Sequence, residues 1–251
     1  MSGIIFLTGA SRGIGLAIAI ELLKSGQRVA TFARTTSPEL AALQSQYPDT
    51  LFTVNGDIAD PASSTSALKK SLEHFKTTSI AALVLNAGVQ AISVVARASL
   101  DDWKRAFDVN FFSALPIVQA ALPGLKEGGG RIVLVSASAA VMPIQGMAGY
   151  SASKAALNAF AATLAVEEPS IPVVAVDPGL VATSMAMEAG IKGKDHFAPD
   201  MLAFAAKASE SGLVLKPDAP GRVISWFALN ASKEVSGKYL SWADAAKIAG
   251  V

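Results

Sequence analysis

Short, largely apolar runs alternate with amphipathic stretches along nearly the whole chain. The runs at Gly3–Thr8, Arg28–Ala33, Leu51–Val54, Ile80–Leu85, Arg131–Val135 and Ile171–Val176 have the look of strands buried on both faces. Helical spacing separates them. The first helix carries Ala17, Ile18, Leu22 and Leu23 and stops at Gly26. The next covers Ser37–Gln46 with Pro38 at its first position, and a third opens at Asp60-Pro61 and reaches about Phe75. A long helix begins where Ser99 and Asp102 have capping-box spacing and runs through Trp103, Phe107, Phe111 and Leu115 toward Pro123. Pro116 lacks an N–H and should bend it. Another helix runs from Tyr150 to about Val166. From Val181 to Leu215 the pattern weakens, which predicts short helices forming a cover. A last helix at Ala219–Leu229 and a short strand at Lys238–Ser241 finish the core.

Regular β-α alternation with buried strands predicts an α/β fold, a doubly wound parallel sheet of about seven strands with helices on both faces. With no repeat, linker or low-complexity tract, residues 1–251 read as one domain, and 181–215 as its substrate-covering segment. Half of the residues are apolar (51%), enough for a large core. Only 16% are charged, so part of the surface is expected to be covered by another subunit. The net charge of +1 and the lack of a basic block longer than Lys69-Lys70 argue against nucleic acid and anionic membranes. The absence of cysteine excludes disulfides and thiolate chemistry. His74 and His196 stand far apart without a ligand-like pattern and are read as surface residues, so no metal is expected. No basic leader precedes the first run, and no apolar stretch approaches the ~20 residues of a membrane span, so a cytoplasmic protein is expected.

Two stretches carry chemistry. Tyr150 and Lys154 are four residues apart, hence one turn apart on one helix face, with small residues around them. A free tyrosine, with a pKa of about 10, is a poor acid or base near neutrality. An ammonium within ~4–6 Å would draw it toward the working pH. Gly9, Gly13 and Gly15 lie between the first strand and its helix, where a glycine-rich turn and a helix N-terminus can bind a pyrophosphate. Gly9-Ala10-Ser11-Arg12-Gly13 also fits the G-x-S-x-G nucleophile elbow of hydrolases. An elbow serine needs a sheet built before it, and only eight residues precede Gly9. The base would be His196, in a Lys/Gly/Asp-rich loop without a strand end. The hydrolase reading is therefore set aside.

Thr8-Gly9-Ala10-Ser11-Arg12-Gly13-Ile14-Gly15, Asn86-Ala87-Gly88, Tyr150-Ser-Ala-Ser-Lys154 and Pro178-Gly179 together resemble the ordered motifs of the short-chain dehydrogenase/reductases. Within that family the Glu-Glu-Pro-Ser at 167–170 and the ending Gly237-Lys-Tyr-Leu-Ser-Trp look most like the sepiapterin-reductase and benzil-reductase branch. The resemblance implies a Rossmann-type fold with a nicotinamide cofactor across the carboxyl ends of the strands. It implies cofactor contacts at Gly9, Ser11, Arg12, Gly13, Ile14, Gly15, Asn86, Ala87, Gly88, Pro178, Gly179, Val181 and Thr183. Asp57-Ile58 matches the pair that contacts the adenine. Tyr150 would be the general acid, Lys154 its pKa modulator and ribose ligand, and Asn110 the residue that positions a water in a proton relay. One departure matters: the family's catalytic serine stands thirteen residues before the tyrosine, where this chain has Ala137. Ser136 and Ser138 flank it. Strand alternation points both away, although a turn could re-aim Ser138. Ser138 is taken as the substitute donor to the substrate oxygen; the alternative is that neither serine touches substrate.

Cofactor choice is read at the end of the second strand. An acidic residue there would bind the ribose hydroxyl of NAD. Here Ala33 is followed by Arg34, Thr35 and Thr36, with Arg12 in the glycine loop, a set suited to a phosphate dianion. NADP(H) is expected, with an NADPH-dependent carbonyl reductase of small apolar or aromatic ketones, aldehydes or diketones. A low-activity nucleotide-binding sensor or scaffold of the same fold is the alternative. Met185, Met187, Met201, Phe197, Phe204, Val89, Ile92 and Val94 read as an adaptable apolar pocket or as core. Phe111, Phe112, Ile117, Leu157, Phe160 and Leu164 suggest a helix-pair interface in a homodimer or homotetramer.

Overall fold

All six long apolar runs become strands, because each is covered on both sides of one sheet. The computed structural model describes residues 3–251, apart from the side chain of Ser209. Its elements run β1 (Ile4–Thr8), α1 (Gly13–Lys24), β2 (Val29–Ala33), α2 (Pro38–Gln46), β3 (Leu51–Asn55), α3 (Pro61–His74), β4 (Ile80–Leu85) and α4 (Leu100–Phe107). They continue through α5 (Ala114–Gly128), β5 (Arg131–Val135), α6 (Ala148–Glu167), β6 (Val173–Val176), α7 (Ser184–Lys192), α8 (Pro199–Glu210), α9 (Asp218–Asn230), β7 (Tyr239–Leu240) and α10 (Trp242–Ala249). The seven strands form one sheet in the order β3-β2-β1-β4-β5-β6-β7, and every neighbouring pair is parallel.

Period-two alternation divides the strands between two cores. Ile4, Phe6, Leu83, Ile132, Leu134 and Val173 face α3, α5 and α6, meeting Leu68, Ile117, Leu125 and Leu157. Ile5, Leu7, Val84, Val133 and Val174 face the other way, meeting Ile18 and Leu22 of α1 and Val223 and Phe227 of α9. Each fully buried Ile, Leu or Phe contributes about 1.5–3 kcal/mol, so the sheet supplies a rigid platform. Helix starts follow their local signals. Ser37 accepts from the Leu40 N–H, Asp60 from the Ala62 N–H and Ser99 from the Asp102 N–H.

Three expectations need correction. The long helix carries Pro116 in the first turn of α5, where its missing N–H removes no bond within that helix. It is interrupted earlier by a π turn, Asp108–Phe112, where the Ser113 N–H reaches back five residues to the Asp108 carbonyl (3.0 Å). The chain also continues past the last strand into α10, whose Ser241 cap accepts from the Asp244 N–H and whose Ala245 is fully buried. Leu100–Gly128 taken together is the one helix among the described residues long and apolar enough to cross a membrane by length and composition. Its Ala114, Ile117, Val118, Ala121 and Leu125 are buried against the sheet.

Candidate active site

Strand order reverses between β1 and β4, and in open α/β sheets the crevice for a ligand lies outside the carboxyl ends there. At that edge Thr8 and Asn86 lock two loops together. The Thr8 hydroxyl accepts from the Asn86 and Ala87 N–H groups (3.0 and 3.1 Å), and Asn86 Nδ2 donates to the Thr8 and Gly9 carbonyls (3.0 and 3.1 Å). Gly9 and Gly13 adopt φ of +74° and +58°, which glycine tolerates without strain. A Cβ on Gly15 would lie 2.1 Å from the Gly9 carbonyl oxygen, so the loop folds back on its helix as only glycine permits. Arg12 occupies the cap position of α1 without a side-chain cap bond. The first-turn N–H groups at Gly13, Ile14 and Gly15 thus lack side-chain capping, beside the half-buried Ser11. This cradle fits a pyrophosphate.

Arg34 and Thr35 are exposed just after β2, whose Phe32 carbonyl accepts from the Gly9 N–H (2.8 Å). On the neighbouring strand the Gly56 N–H donates to the Ala33 carbonyl (3.0 Å); Asp57 caps its own turn through the Ala59 N–H (3.0 Å), and Ile58 is buried. On the far side Gly179 takes φ +76° and donates to Asp177 Oδ1 (2.9 Å). Pro178 and Val181 are buried, Val181 bridging to Leu215. Thr183 caps α7 and lies 3.3 Å from where a Cβ on Gly13 would stand, so this segment touches the glycine loop.

The π turn aims Asn110 inward. Its Oδ1 accepts from the Val89 N–H (2.8 Å), and its Nδ2 donates to the Val89 carbonyl and to Ser153 Oγ (both 2.9 Å). A Cβ on Gly88 would lie 3.3 Å from Asn110 Oδ1 and 3.6 Å from Lys154 Nζ, so all three meet at one spot. Lys154 is buried and donates to the Val135 carbonyl (2.7 Å); burial pushes its ammonium down to about 8. Tyr150 is also buried, packed with Ala139, Met147, Ala137, Ile144 and Phe197. Its hydroxyl does not titrate downward as the helix spacing suggested. Burial, and then the Asp177 charge, push it well above the ordinary phenol value.

The serines divide. Ser136 Oγ donates to Asn158 Oδ1 on α6 (2.7 Å), while a 3₁₀ turn at Ser138–Ala140 swings Ser138 onto Asp177 Oδ2 (2.5 Å). A hydroxyl has one proton, and that of Ser138 is taken by the carboxylate rather than offered outward as the sequence reading expected. Asp177, buried at the end of β6, escaped the sequence reading; its signal was an acidic residue directly before Pro178-Gly179 at a strand end. Other expectations divide as well. Phe197 joins the tyrosine cluster, whereas Met187 and Phe204 are exposed. Ile117, Leu157 and Leu164 are spent on the core, leaving Phe112 and Leu115 outward. His196 ties segments together: its Nδ1 accepts from the Val94 N–H (3.4 Å) and its carbonyl from Gln145 Nε2 (3.0 Å). His74 is exposed and stacks on Phe52.

Residues 3–193 match the family described as short chain dehydrogenase. An uncharacterised oxidoreductase of Schizosaccharomyces pombe is 37% identical over 243 residues, covering 95% of this chain and 96% of that protein. A benzil reductase ((S)-benzoin forming) of Saccharomyces cerevisiae is 32% identical over 257 residues, covering 97% of each chain. The crystal structure of an NADPH-bound carbonyl reductase from chicken fatty liver superposes with a TM-score of 0.78 at 25% identity, over 97% of each chain.

Proposed function

The chain belongs to the short-chain dehydrogenase family, and we propose that it is an NADPH-dependent reductase of small apolar or aromatic ketones, aldehydes and diketones. The observation that carries this reading is the convergence of Lys154, Asn110 and Gly88 at one spot beside the glycine cradle, one helical turn from Tyr150. A nicotinamide cofactor supplies the hydride in this chemistry. The N–H groups of Gly13, Ile14 and Gly15 hold its pyrophosphate, with Ser11 beside them. Asp57 and Ile58 would contact its adenine; Gly9, Asn86, Ala87 and Gly88 would line the floor, and Pro178, Gly179, Val181 and Thr183 the far wall. Arg12, Arg34 and Thr35 carry the preference for a 2′-phosphate, because no acidic side chain follows β2 to repel it. The NADPH-bound relative agrees with that choice.

Tyr150 hydrogen-bonds the substrate oxygen and delivers its proton to the forming alkoxide. Lys154 holds the nicotinamide ribose and offsets the cost of leaving a phenolate behind. Asn110, with one lone pair of Oδ1 still unspent, positions the relay water. Segment 181–215 covers the substrate, and Val89, Ile92, Phe197 and Met185 make the apolar wall. The benzil reductase relative supports aromatic diketones as the first substrates to try. Exposed Phe112 and Leu115 support self-association through the α4–α5 and α6 face, as a homodimer or homotetramer.

The test is NADPH oxidation against a panel of diketones, aldehydes and pteridine carbonyls. Tyr150→Phe should keep cofactor affinity and lose turnover on the order of 10²- to 10⁴-fold. A Phe variant with normal kcat rejects the role. Ala137, together with a Ser138 proton held by Asp177, favours one second reading, a nucleotide-binding sensor with little turnover. NADPH binding without oxidation across the panel would select it.

A further inference from the structure

We propose that Asp177 is a positioning residue of this site, its buried carboxylate orienting Ser138 and setting a negative charge against the Tyr150 phenol. The inference rests on Tyr150 being the proton donor. Asp177 is 4% exposed and lies where β6 ends, beside β5 in parallel register through Val135↔Val176. That register brings the turn after β5 alongside the turn after β6. Three donors converge on the carboxylate. Ser138 Oγ (2.5 Å) and Tyr239 OH (3.2 Å) donate to Oδ2, and the Gly179 N–H donates to Oδ1 (2.9 Å).

Asparagine could serve the turn at Gly179 equally well, since that bond asks only for a carbonyl-type oxygen. What asparagine could not supply is the charge, and Tyr150 packs in one cluster with Ala137 and Ala139, the two neighbours of the Ser138 that the carboxylate holds; burial and then Asp177 both keep the phenol protonated. Tyr239 is pushed the same way, by burial and then by Asp177. Among the charges on the packed elements, Asp101, Asp102, Lys104 and Arg105 of α4 are exposed to solvent, and Lys154, the buried cation of α6 that donates to the Val135 carbonyl, is the charge that opposes Asp177 at the phenol. Carbonyl reduction consumes a protonated Tyr150, whereas alcohol oxidation starts from the phenolate. The arrangement therefore loads the site for reduction. It also limits what Ser138 can do beside Ala137: with its proton on Asp177, its hydroxyl can accept a hydrogen bond but has none to donate to the substrate oxygen, which leaves Tyr150 as the donor there.

The experiment is an alkaline titration of tyrosinate absorbance. Tyr47 and Tyr239 also absorb, so the Tyr150 signal is taken as the difference between each protein and its Tyr150→Phe counterpart. In Asp177→Asn the Tyr150 phenol should ionise at least about one pH unit lower than in the unaltered chain. Asp177→Ser, which can still cap the Gly179 N–H, should move it the same way and serves if the Asn variant does not fold. An unmoved ionisation in either folded variant overturns the proposal. Normal turnover in Tyr150→Phe would instead defeat the proton-donor reading, while the titration would still report on Asp177.

Discussion

Lys154 is a charge placed where the fold would rather have none, and its cost can be measured. Burial lowers its ammonium from the ordinary 10.5 to about 8, at a side chain only 3% exposed. Between those values the unfolded chain holds a proton that the folded chain has released, so stability rises with pH through the window. At pH 7 the folded state carries nearly the full penalty, about 3 kcal/mol; at pH 10 less than about 1 kcal/mol remains. Lys154→Met keeps the aliphatic stem and removes the titration. The variant also leaves the Val135 carbonyl without its Nζ donor, at both pH values alike. That loss cancels when the variant and the unaltered chain are compared at pH 7 and again at pH 10. Urea unfolding followed by tryptophan fluorescence should show the unaltered chain gaining roughly 2–3 kcal/mol on Lys154→Met over that range. Tyr150 and Tyr239, both held above the ordinary phenol range, begin to favour the unfolded chain as pH nears 10, but alike in the two proteins, so that effect cancels in the same comparison. Two proteins whose stabilities run parallel from pH 7 to 10 would refute the reasoning.

Gly15→Ala should abolish cofactor binding and lower the unfolding midpoint, because its Cβ would meet the Gly9 carbonyl at 2.1 Å and Asn86 Nδ2 at 2.6 Å; nucleotide titration and thermal melts check both. Replacing Arg12 and Arg34 together by serine should raise the KM for NADPH at least about tenfold, roughly 1.4 kcal/mol, while leaving that for NADH nearly unchanged. Equal KM changes for the two cofactors would remove the phosphate assignment.

The sheet was legible because strands buried on both faces must be apolar throughout, so Ile4–Leu7 and Ile80–Leu85 announce themselves. The glycine loop and the Tyr150–Lys154 spacing were legible because local geometry, a tight turn and a helical repeat, dictates them. Contacts between distant segments were not. Nothing local says that Ser138 turns toward Asp177, since that depends on β5 and β6 lying side by side with Val135 opposite Val176. The π turn was hidden for another reason: its Phe107, Phe111 and Leu115 keep helical spacing across the wide turn. Helix α10 could have been found from Ser241 and Asp244, which repeat the capping spacing seen at Ser99. The direction of the Tyr150 shift required knowing how deeply the phenol and Asp177 are buried, which no motif records.

The widened turn at Asp108–Phe112 amounts to one residue more than a regular helix would use, and Asn110 sits on that surplus. Trimming the segment to ideal geometry, as a stability-minded redesign would, rotates the amide away from Val89 and Ser153 and unhooks the loop after β4 from α6. Local irregularity here is the hinge pin between the loop after β4 and helix α6, and smoothing it would leave a tidier helix beside a site whose walls no longer know where the other stands.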